Sequence, residues 1–531
     1  MYPVYPWRIV SGREMAEIDR CAIEKHGIGG LFLMEQAGKG IAEGMLASFS
    51  PACLRGAAII CGKGNNGGDG FVVARYLARE GYRVRVGLVG QGTELKGDAL
   101  LQYRRLVAEG VPVEECGDPA ALRRFFESAG DSRLFVDALL GTGGRGAPTG
   151  LIAEAIASLN RLAGQAAIVS VDIPSGVDGD TGRVEGDAVR ADWVYTLGLP
   201  KIGHVLPPGL NYYRKLAVLD IGFPPALMEN AESDAVLLSA RDINRWMVPR
   251  NQSAHKGSEG HLLVLAGSRG MTGAALLCAR AAVKMGAGLV TAACPEPLFP
   301  IYASGVWEML TIPVPATPSG GLAAESFDRL FGPEVRYKAV VMGPGLGRDA
   351  STQELIRRVV REIEQPLVLD GDALAAISPA LLDERLFPWV ATPHPGEMAR
   401  LFQTTADMVQ ADRFGFARRL AGSGSGVAVL KGAKTVTAQA GRPLAVNPTG
   451  NPAMASGGMG DVLAGTVGAL LARGIPPFEA AAAGVFLHGL AADLLVGETG
   501  TEVVTAGEVL NRLPNALRRV REESGSPRLW G

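Results

Sequence analysis

The sequence predicts an α/β protein of two domains, an N-terminal Rossmann-like doubly wound sheet and a C-terminal α/β/α layered domain. Three observations predict it. Short apolar runs alternate with amphipathic stretches through most of the 531 residues, which is the pattern of strand–helix–strand units. Glycine is abundant, at 71 residues, without a Gly-X-Y period, so it points to turns that approach ligands closely. The pattern breaks at FPPALMENAESDAVLLSA (223–240), where Pro224-Pro225 cannot continue a helix or an internal strand. Domains are therefore expected at 1–225 and 241–531, with a linker at 226–240, each large enough for its own core.

In the first half, AAIIC (57–61), RVRVGLV (83–89), LFVDALL (134–140), AIVSVDI (167–173) and WVYTLG (193–198) read as strands. GKGNNGGDG (62–70) follows the first strand and opens the helix FVVARYLAREG (71–81). Gly62, Gly64 and Gly67 form a formal GxGxxG. The dinucleotide fingerprint also needs an acid at the end of the second strand, and RVRVGLV ends without one. An ordinary hydride-transfer site is disfavoured, and the loop is not a GxxxxGK[ST] phosphate loop. What remains is a loop of Asn65, Asn66, Gly67, Gly68 and Asp69. Its free N–H groups and helix N-terminus favour an anion such as pyrophosphate. A helix cap would account for one Asn; two Asn, an Asp and several Gly favour a ligand loop.

DALLGTGGRGAP (137–148) and VDIPSGVDGDTG (171–182) each put an Asp at the end of an apolar strand. One such Asp is commonly a turn former. Ligands in open parallel sheets bind beyond the carboxyl ends of strands, so Asp137, Asp172 and the 65–69 loop are expected to converge on one crevice. Oxygens of Asn66, Asp137 and Ser175 suit a hard cation.

LMEQAG (33–38), GKGNNGGDG, VDALLGTG (136–143) and VDIPSG (171–176) together resemble the YjeF N-terminal family, the NAD(P)HX epimerases, over nearly all of 10–225. The resemblance implies that residues 65–69 and Gly141, Thr142, Gly143, Gly144, Arg145, Gly146 and Ala147 contact hydrated NADH or NADPH. It implies that Asn66, Asp137 and Ser175 hold potassium, and that Asp172 acts at the reacting ring as acid/base. Gln36 departs from the family, where Asn is usual.

In the second half, HLLVLAG (261–267), LVTAAC (289–294), AVVMG (339–343), PLVLDGD (366–372), WVATP (389–393) and GVAVLKG (426–432) read as strands. MTGAALLCARAAVKMGAGLVT (271–291) reads as a helix leading into a strand, and DGDAL (370–374) follows PLVL. NPTGNPAMASGGMGDVLAG (447–465) clusters Gly457, Gly458 and Gly460 before Asp461 and an apolar helical run. That arrangement offers N–H groups and a helix dipole to a transferring phosphate, and Asp461 to take a proton from an attacking hydroxyl. A glycine-rich turn with an Asp in the first helical turn explains it equally well alone; LKGAKT (430–435) and GPGLG (343–347) tip the reading toward catalysis. His394, between two prolines after a strand, sits where ligands are expected. Lys431 and Lys434 meet phosphates or are simply solvated, and His488 reads as a core histidine.

HKGSEGH (255–261), GSRGMTGAALL (267–277), GPGLG, TPHPGE (392–397), LKGAKT and GGMGDVLAG, in that order, resemble the ribokinase-like superfamily and within it the YjeF C-terminal family, the ADP/ATP-dependent NAD(P)HX dehydratases, over roughly 240–520. By that resemblance Lys431, Gly432, Ala433, Lys434, Thr435 and Gly460 contact the adenine nucleotide. Ala274, Gly345, His394 and Asp461 contact the hydrated substrate, and Mg2+ accompanies ADP or ATP. Met459 stands where the family usually has Ser or Thr.

Lys and Arg total 52 against 54 Asp and Glu, which argues against a nucleic-acid footprint. No CxxC occurs among the six cysteines, which fits a reducing compartment. MYPVYPWRIV lacks the pattern of a signal peptide, and the apolar stretch 480–496 is short for a bilayer and reads as a buried helix. A cytoplasmic homo-oligomer without membrane contact is expected. The two resemblances together imply metabolite repair: the first domain interconverts the R and S epimers of hydrated NAD(P)H, and the second dehydrates the S form through a phosphorylated intermediate. The alternative is a small-molecule kinase carrying a non-catalytic nucleotide-binding N-terminal module.

Overall fold

A computed structural model describes residues 7–229, 233–247, 250, 252–332 and 337–523; the first six residues of MYPVYPWRIV lie outside the described residues. The chain divides into two compact units with the boundary between Ala235 and Val236. The stretch 226–240 carries structure of its own: helix Pro225–Glu229 and strand Ala235–Leu237. Pro225 opens that helix, where its missing N–H breaks no bond.

The first unit contains β1 (Trp7–Ile9), β2 (Ala57–Cys61), β3 (Val84–Leu88), β4 (Val113–Glu115), β5 (Leu134–Ala138), β6 (Ala167–Val171), β7 (Ala191–Leu197) and β8 (Tyr213–Leu219). Seven of these form a parallel sheet in the order β4-β3-β2-β5-β6-β7-β8. β2 and β5 are buried along their whole length, as expected of parallel strands covered on both faces. β4 and β8 had no counterpart among the strands read from the sequence. Both are edge strands that carry charge (Glu114 and Glu115, Arg214 and Lys215), which guards an edge but hides the apolar signal.

Strand order reverses between β2 and β5, opening a crevice at their carboxyl ends. The loop after β2 enters helix Asn65–Arg79 there. The turn needs glycine: a Cβ on Gly62 would lie 2.1 Å from the Leu139 carbonyl oxygen, and one on Gly67 would lie 1.9 Å from the Gly62 oxygen.

The second unit's sheet comprises β9 (Ala235–Leu237), β10 (His261–Leu265), β11 (Leu289–Pro295), β12 (Leu310–Val314), β13 (Ala339–Met342), β14 (Leu367–Leu369), β15 (Trp389–Ala391), β16 (Gly426–Leu430), β17 (Val436–Gln439) and β18 (Leu444–Val446). The order is β9-β18-β17-β16-β15-β14-β13-β10-β11-β12. The stretch β10 to β16 is parallel, but β16–β17 and β17–β18 are antiparallel. The links 431–435 and 440–443 are too short for a parallel crossover, so the chain must turn back as hairpins. Helices Met459–Ala472 and Pro477–Thr499 cover one side. The second is long and apolar enough to cross a membrane by length and composition, yet 78% of its most apolar window is buried inside the protein.

Candidate active sites

Asp172 is the first residue after β6 and the focus of the first unit. Its φ is +64°, a left-handed conformation that non-glycine residues adopt rarely. Neighbours hold it there: its N–H donates to the Tyr195 oxygen at 2.9 Å, and its own carbonyl lies 3.0 Å from His204 Nε2. His204 Nδ1 accepts the Lys201 N–H at 2.9 Å, so Nε2 carries the proton and donates to Asp172. Burial and the neighbouring Lys201 push the imidazole pKa down to about 3, so it stays neutral.

The Asp172 carboxylate accepts from Lys201 Nζ at 2.6 Å, Thr196 Oγ1 at 3.0 Å and the Leu197 N–H at 3.1 Å. Burial opposes its charge, but Lys201 outweighs burial and the carboxyl is held below the usual aspartate value. Asp69, in helix Asn65–Arg79, behaves oppositely. Burial first, then the charges of Asp172 and Asp19, push its pKa well above the usual value. Two carboxyls that feel each other's charge are thereby shifted in opposite directions, which is how acid and base roles are separated at one pH.

Asp137 is fully buried at the end of β5. It accepts from Ser170 Oγ at 2.8 Å, Ser175 N at 2.9 Å and Ser175 Oγ at 2.5 Å. Burial raises its pKa despite these bonds. Asn66 lies against Gly141, where a Cβ would sit 3.2 Å from Asn66 Oδ1, and its amide nitrogen is buried without a hydrogen-bond partner. Asn66, Asp137 and Ser175 offer oxygen donors and one carboxylate, a set that fits a hard cation such as potassium. Among the described residues, no three His, Cys, Asp or Glu side chains are placed to hold a metal ion.

Gly141, Gly144, Arg145 and Gly146 line a cavity of about 140 Å³ with Val177 and Asp178. Arg145 curls over this loop, donating to the Thr142 and Gly144 carbonyls and pairing with Asp180 at 2.7 Å. Gln36 lies half-buried in helix Gly30–Ser48. Lys201, His204 and Thr196 were not among the residues singled out from the sequence. The rule that ligands gather at strand ends could have found the lysine and histidine, because PKIGH (200–204) directly follows β7 and its turn.

In the second unit, the ends of β14, β15 and β16 bring Asp370, Glu397 and Lys431 together. Lys431 Nζ lies 2.6 Å from Asp370 Oδ1 and 3.7 Å from Glu397 Oε2. Thr392 Oγ1 also donates to Asp370 Oδ1, at 2.6 Å. Burial opposes the Lys431 charge, but Asp370 and Glu397 overcome it and its pKa stands above the ordinary lysine value.

Helix Met459–Ala472 starts on this cluster. A Cβ on Gly460 would lie 3.3 Å from both Asp370 Oδ2 and Lys431 Nζ. Gly458, at φ +88°, caps the helix. Burial, then Asp370, raise the Asp461 pKa to about 6, with Lys431 opposing. That value suits a general base working near neutrality. Met459 turns its side chain into the core.

Ala274 and Gly345 adjoin, with a Gly345 Cβ expected 3.0 Å from Ala274 Cβ. His394 caps helix Pro395–Leu401 by accepting the Gly396 N–H on Nδ1 at 3.0 Å, and its ring is half exposed. Lys434 donates to the Pro448 oxygen at 2.9 Å, and Thr435 Oγ1 to the Gly432 oxygen at 2.9 Å. His488 is buried in helix Pro477–Thr499; burial and Lys431 lower its pKa to about 4. Asp370, Glu397 and Thr392 were missed as single residues, although DGDAL and TPHPGE contain the two acids.

Residues 30–203 match the family described as YjeF-related protein N-terminus, and residues 262–515 match the NAD(P)H-hydrate dehydratase family. The chain is 39% identical over 521 residues to the bifunctional NAD(P)H-hydrate repair enzyme Nnr of Moorella thermoacetica, covering 97% of each chain. It is 38% identical over 512 residues to the enzyme of that name from Thermofilum pendens, covering 96% of each, and 35% identical over 457 residues to that of Escherichia coli, covering 86% of this chain and 84% of the relative. A solved ADP/ATP-dependent NAD(P)H-hydrate dehydratase from Bacillus subtilis, co-crystallised with ATP and Mg2+, is 31% identical, with 53% of this chain and 97% of that chain covered and a TM-score of 0.48.

Proposed function

The chain belongs to the bifunctional NAD(P)H-hydrate repair enzymes, and we propose that its two units perform successive steps on one damaged cofactor. Hydrated NADH or NADPH carries a hydroxyl on ring carbon 6, exists as two epimers and cannot transfer hydride. The first domain, 1–225, interconverts the epimers. The second, 241–531, dehydrates the S form at the expense of ADP or ATP.

Epimerisation requires the hydroxyl to leave and return on the opposite face. The ring nitrogen lone pair expels it as water once it is protonated, and water adds back as a base takes its proton. Asp69, whose pKa is raised, and Asp172, whose pKa is lowered, supply the proton source and the proton acceptor. His204 and Lys201 keep Asp172 in its left-handed position. Residues 141–147 and the 65–69 loop hold the pyrophosphate and nicotinamide end. Asn66, Asp137 and Ser175 would hold potassium, which would supply positive charge to an anionic substrate.

In the second domain, Asp461 takes the proton of the carbon 6 hydroxyl as its oxygen attacks the terminal phosphorus of the nucleotide, whose bond to the bridging oxygen breaks so that AMP leaves from ADP, or ADP from ATP. The N–H groups at the Gly457–Gly460 turn receive the charge that develops on phosphate oxygens. Hydroxide is a poor leaving group and phosphate a good one. The ring nitrogen lone pair expels the phosphate, and loss of the carbon 5 proton restores the double bond. Mg2+ would accompany the nucleotide and offset the charge of its phosphates. Lys431 to Thr435 and Gly460 face the nucleotide, while Ala274, Gly345 and His394 face the hydrated ring. The observation that carries this reading is Asp461: a carboxyl with pKa about 6 in the first turn of a glycine-capped helix, beside the Lys431–Asp370 pair. The enzyme works as a cytoplasmic homo-oligomer.

The test follows NADH absorbance when the protein meets both hydrated epimers with potassium, Mg2+ and ADP, or with ATP in a parallel sample. Nucleotide-dependent recovery beyond the S fraction is expected. Recovery that stops at the S fraction sinks the epimerase assignment, and none with either nucleotide, in folded protein, sinks the dehydratase assignment and turns the reading to a small-molecule kinase. Asp172→Asn should convert the first outcome into the second.

A further inference from the structure

One cavity of the first unit lies away from Asp172. It encloses about 590 Å³ and is lined by Lys63, Gly90, Gln91, Glu94, Gly117 and Ile152, among others. That volume falls within the usual range of small-molecule sites, about 300–1,000 Å³. Its position in the topology is specific. Lys63 follows β2, Gly90 to Glu94 follow β3, Gly117 follows β4, and Ile152 belongs to the helix reached from β5. The cavity therefore occupies the β3–β4 side of the crevice where strand order reverses, whereas Asp172 and Lys201 stand beyond β6 and β7. The N-terminus of helix Asn65–Arg79, which favours a pyrophosphate, starts between the two.

The cavity is built around a charge pair. Lys63 Nζ lies 2.7 Å from Glu94 Oε1, with both side chains about half exposed. Glu94 Oε2 also accepts the Gln91 N–H at 2.9 Å. Gly90 makes this crossing possible: at φ +128°, a Cβ there would lie 2.8 Å from Glu94 Oε2 and 2.9 Å from Lys63 Cδ. The loop after the second strand thus opens with a glycine, and the acid it carries, Glu94, is already paired to Lys63, where dinucleotide folds that select an unphosphorylated ribose keep an acid for the 2′-hydroxyl.

We propose that this cavity receives the adenosine half of the hydrated dinucleotide, and that Lys63 is the group that meets a phosphate on its ribose 2′-oxygen. The inference rests on the epimerase reading of the first unit. A dinucleotide whose pyrophosphate sits at the helix N-terminus reaches both ends of the crevice: nicotinamide toward Asp172, adenosine toward Gln91 and Ile152. Glu94 holds Lys63 in place when the 2′-oxygen bears only hydrogen and yields it when a phosphate arrives. The protein then accepts hydrated NADH and hydrated NADPH, the latter through Lys63.

The experiment measures epimerisation kinetics for hydrated NADH, hydrated NADPH and hydrated reduced nicotinamide mononucleotide, which lacks the adenosine half. Wild type, Lys63→Ala and Gly117→Leu are compared in the full-length protein, with dehydratase activity on S epimer and the melting curve as checks of folding. Lys63→Ala should raise KM about tenfold for hydrated NADPH alone, as expected for loss of one phosphate contact worth about 1.4 kcal/mol. Gly117→Leu, which fills the cavity, should raise KM for both dinucleotides and leave the mononucleotide unaffected. Equal KM for all three substrates across the folded variants overturns the inference while leaving the epimerase standing. A mononucleotide KM that rises with Gly117→Leu also overturns it, because the cavity would then serve the reacting end. No epimerisation by wild type removes the epimerase reading, and the inference falls with it.

Discussion

Lys201 Nζ lies 2.6 Å from Asp172 Oδ1, and the lysine side chain is completely buried. Neither partner can be removed without stranding the other's charge away from water. Lys201→Met should therefore destabilise the first unit by about 3–5 kcal/mol, the cost of breaking rather than replacing a buried pair. The pH dependence has a definite sign. The folded-state pKa of Asp172 is lowered, so its stabilising contribution is present above the unfolded value of about 3.9. It is lost as pH falls further through the folded value. Denaturant unfolding of wild type and Lys201→Met should converge below about pH 4; curves that stay parallel there would show that the pair is not the source.

Asp69 gives the opposite sign. Its folded pKa is raised, so the folded state holds a proton that the unfolded state releases above about pH 4. Stability falls as pH rises through that window. Asp69→Asn keeps the shape and removes the ionisation, so it should raise the melting temperature at neutral pH while lowering epimerase kcat. A melting temperature that drops at neutral pH would contradict the raised pKa.

These two carboxyls also mark how far the sequence could be read. Asp69, Asp137 and Asp172 stand at strand and helix ends in loops rich in glycine, so their position was legible from the strand-end rule. The directions of their pKa shifts were not, because they depend on burial and, for Asp69 and Asp172, on Lys201 and Asp19, which approach from elsewhere in the chain. The central strands were legible because burial on both faces leaves unbroken apolar runs, as in AAIIC. Edge strands β4, β8 and β12 and the hairpin strand β17 were hidden by charge, brevity or a hairpin link. In the second unit, Asp370 and Lys431 lie 61 residues apart, and nothing local announces that they meet.

Packing in the second unit makes a separate prediction. A Cβ on Gly465 would lie 2.0 Å from the Cys278 carbonyl oxygen of helix Thr272–Lys284. Backbone cannot swing away as a side chain could, so Gly465→Ala must displace the helix that carries Gly460 and Asp461. Destabilisation of at least about 1–3 kcal/mol is expected, with loss of dehydratase and retention of epimerase activity. Gly507→Ala, where nothing lies within 4 Å, serves as the control and should not lower the melting temperature.

Asp461 offers the most direct test of the dehydratase chemistry. Its pKa is raised to about 6 by burial and Asp370, and a general base acts only when deprotonated. Dehydratase kcat should rise with pH through about 6 and then level. Asp461→Asn should lower it by roughly 10²–10⁴-fold and abolish that acid limb. Lys431 favours the charged form of Asp461, so Lys431→Met should move the limb of the remaining activity toward higher pH. A limb that stays at its wild-type position in Lys431→Met, with protein still folded, would separate Asp461 from the Lys431–Asp370 cluster and reassign the titrating base.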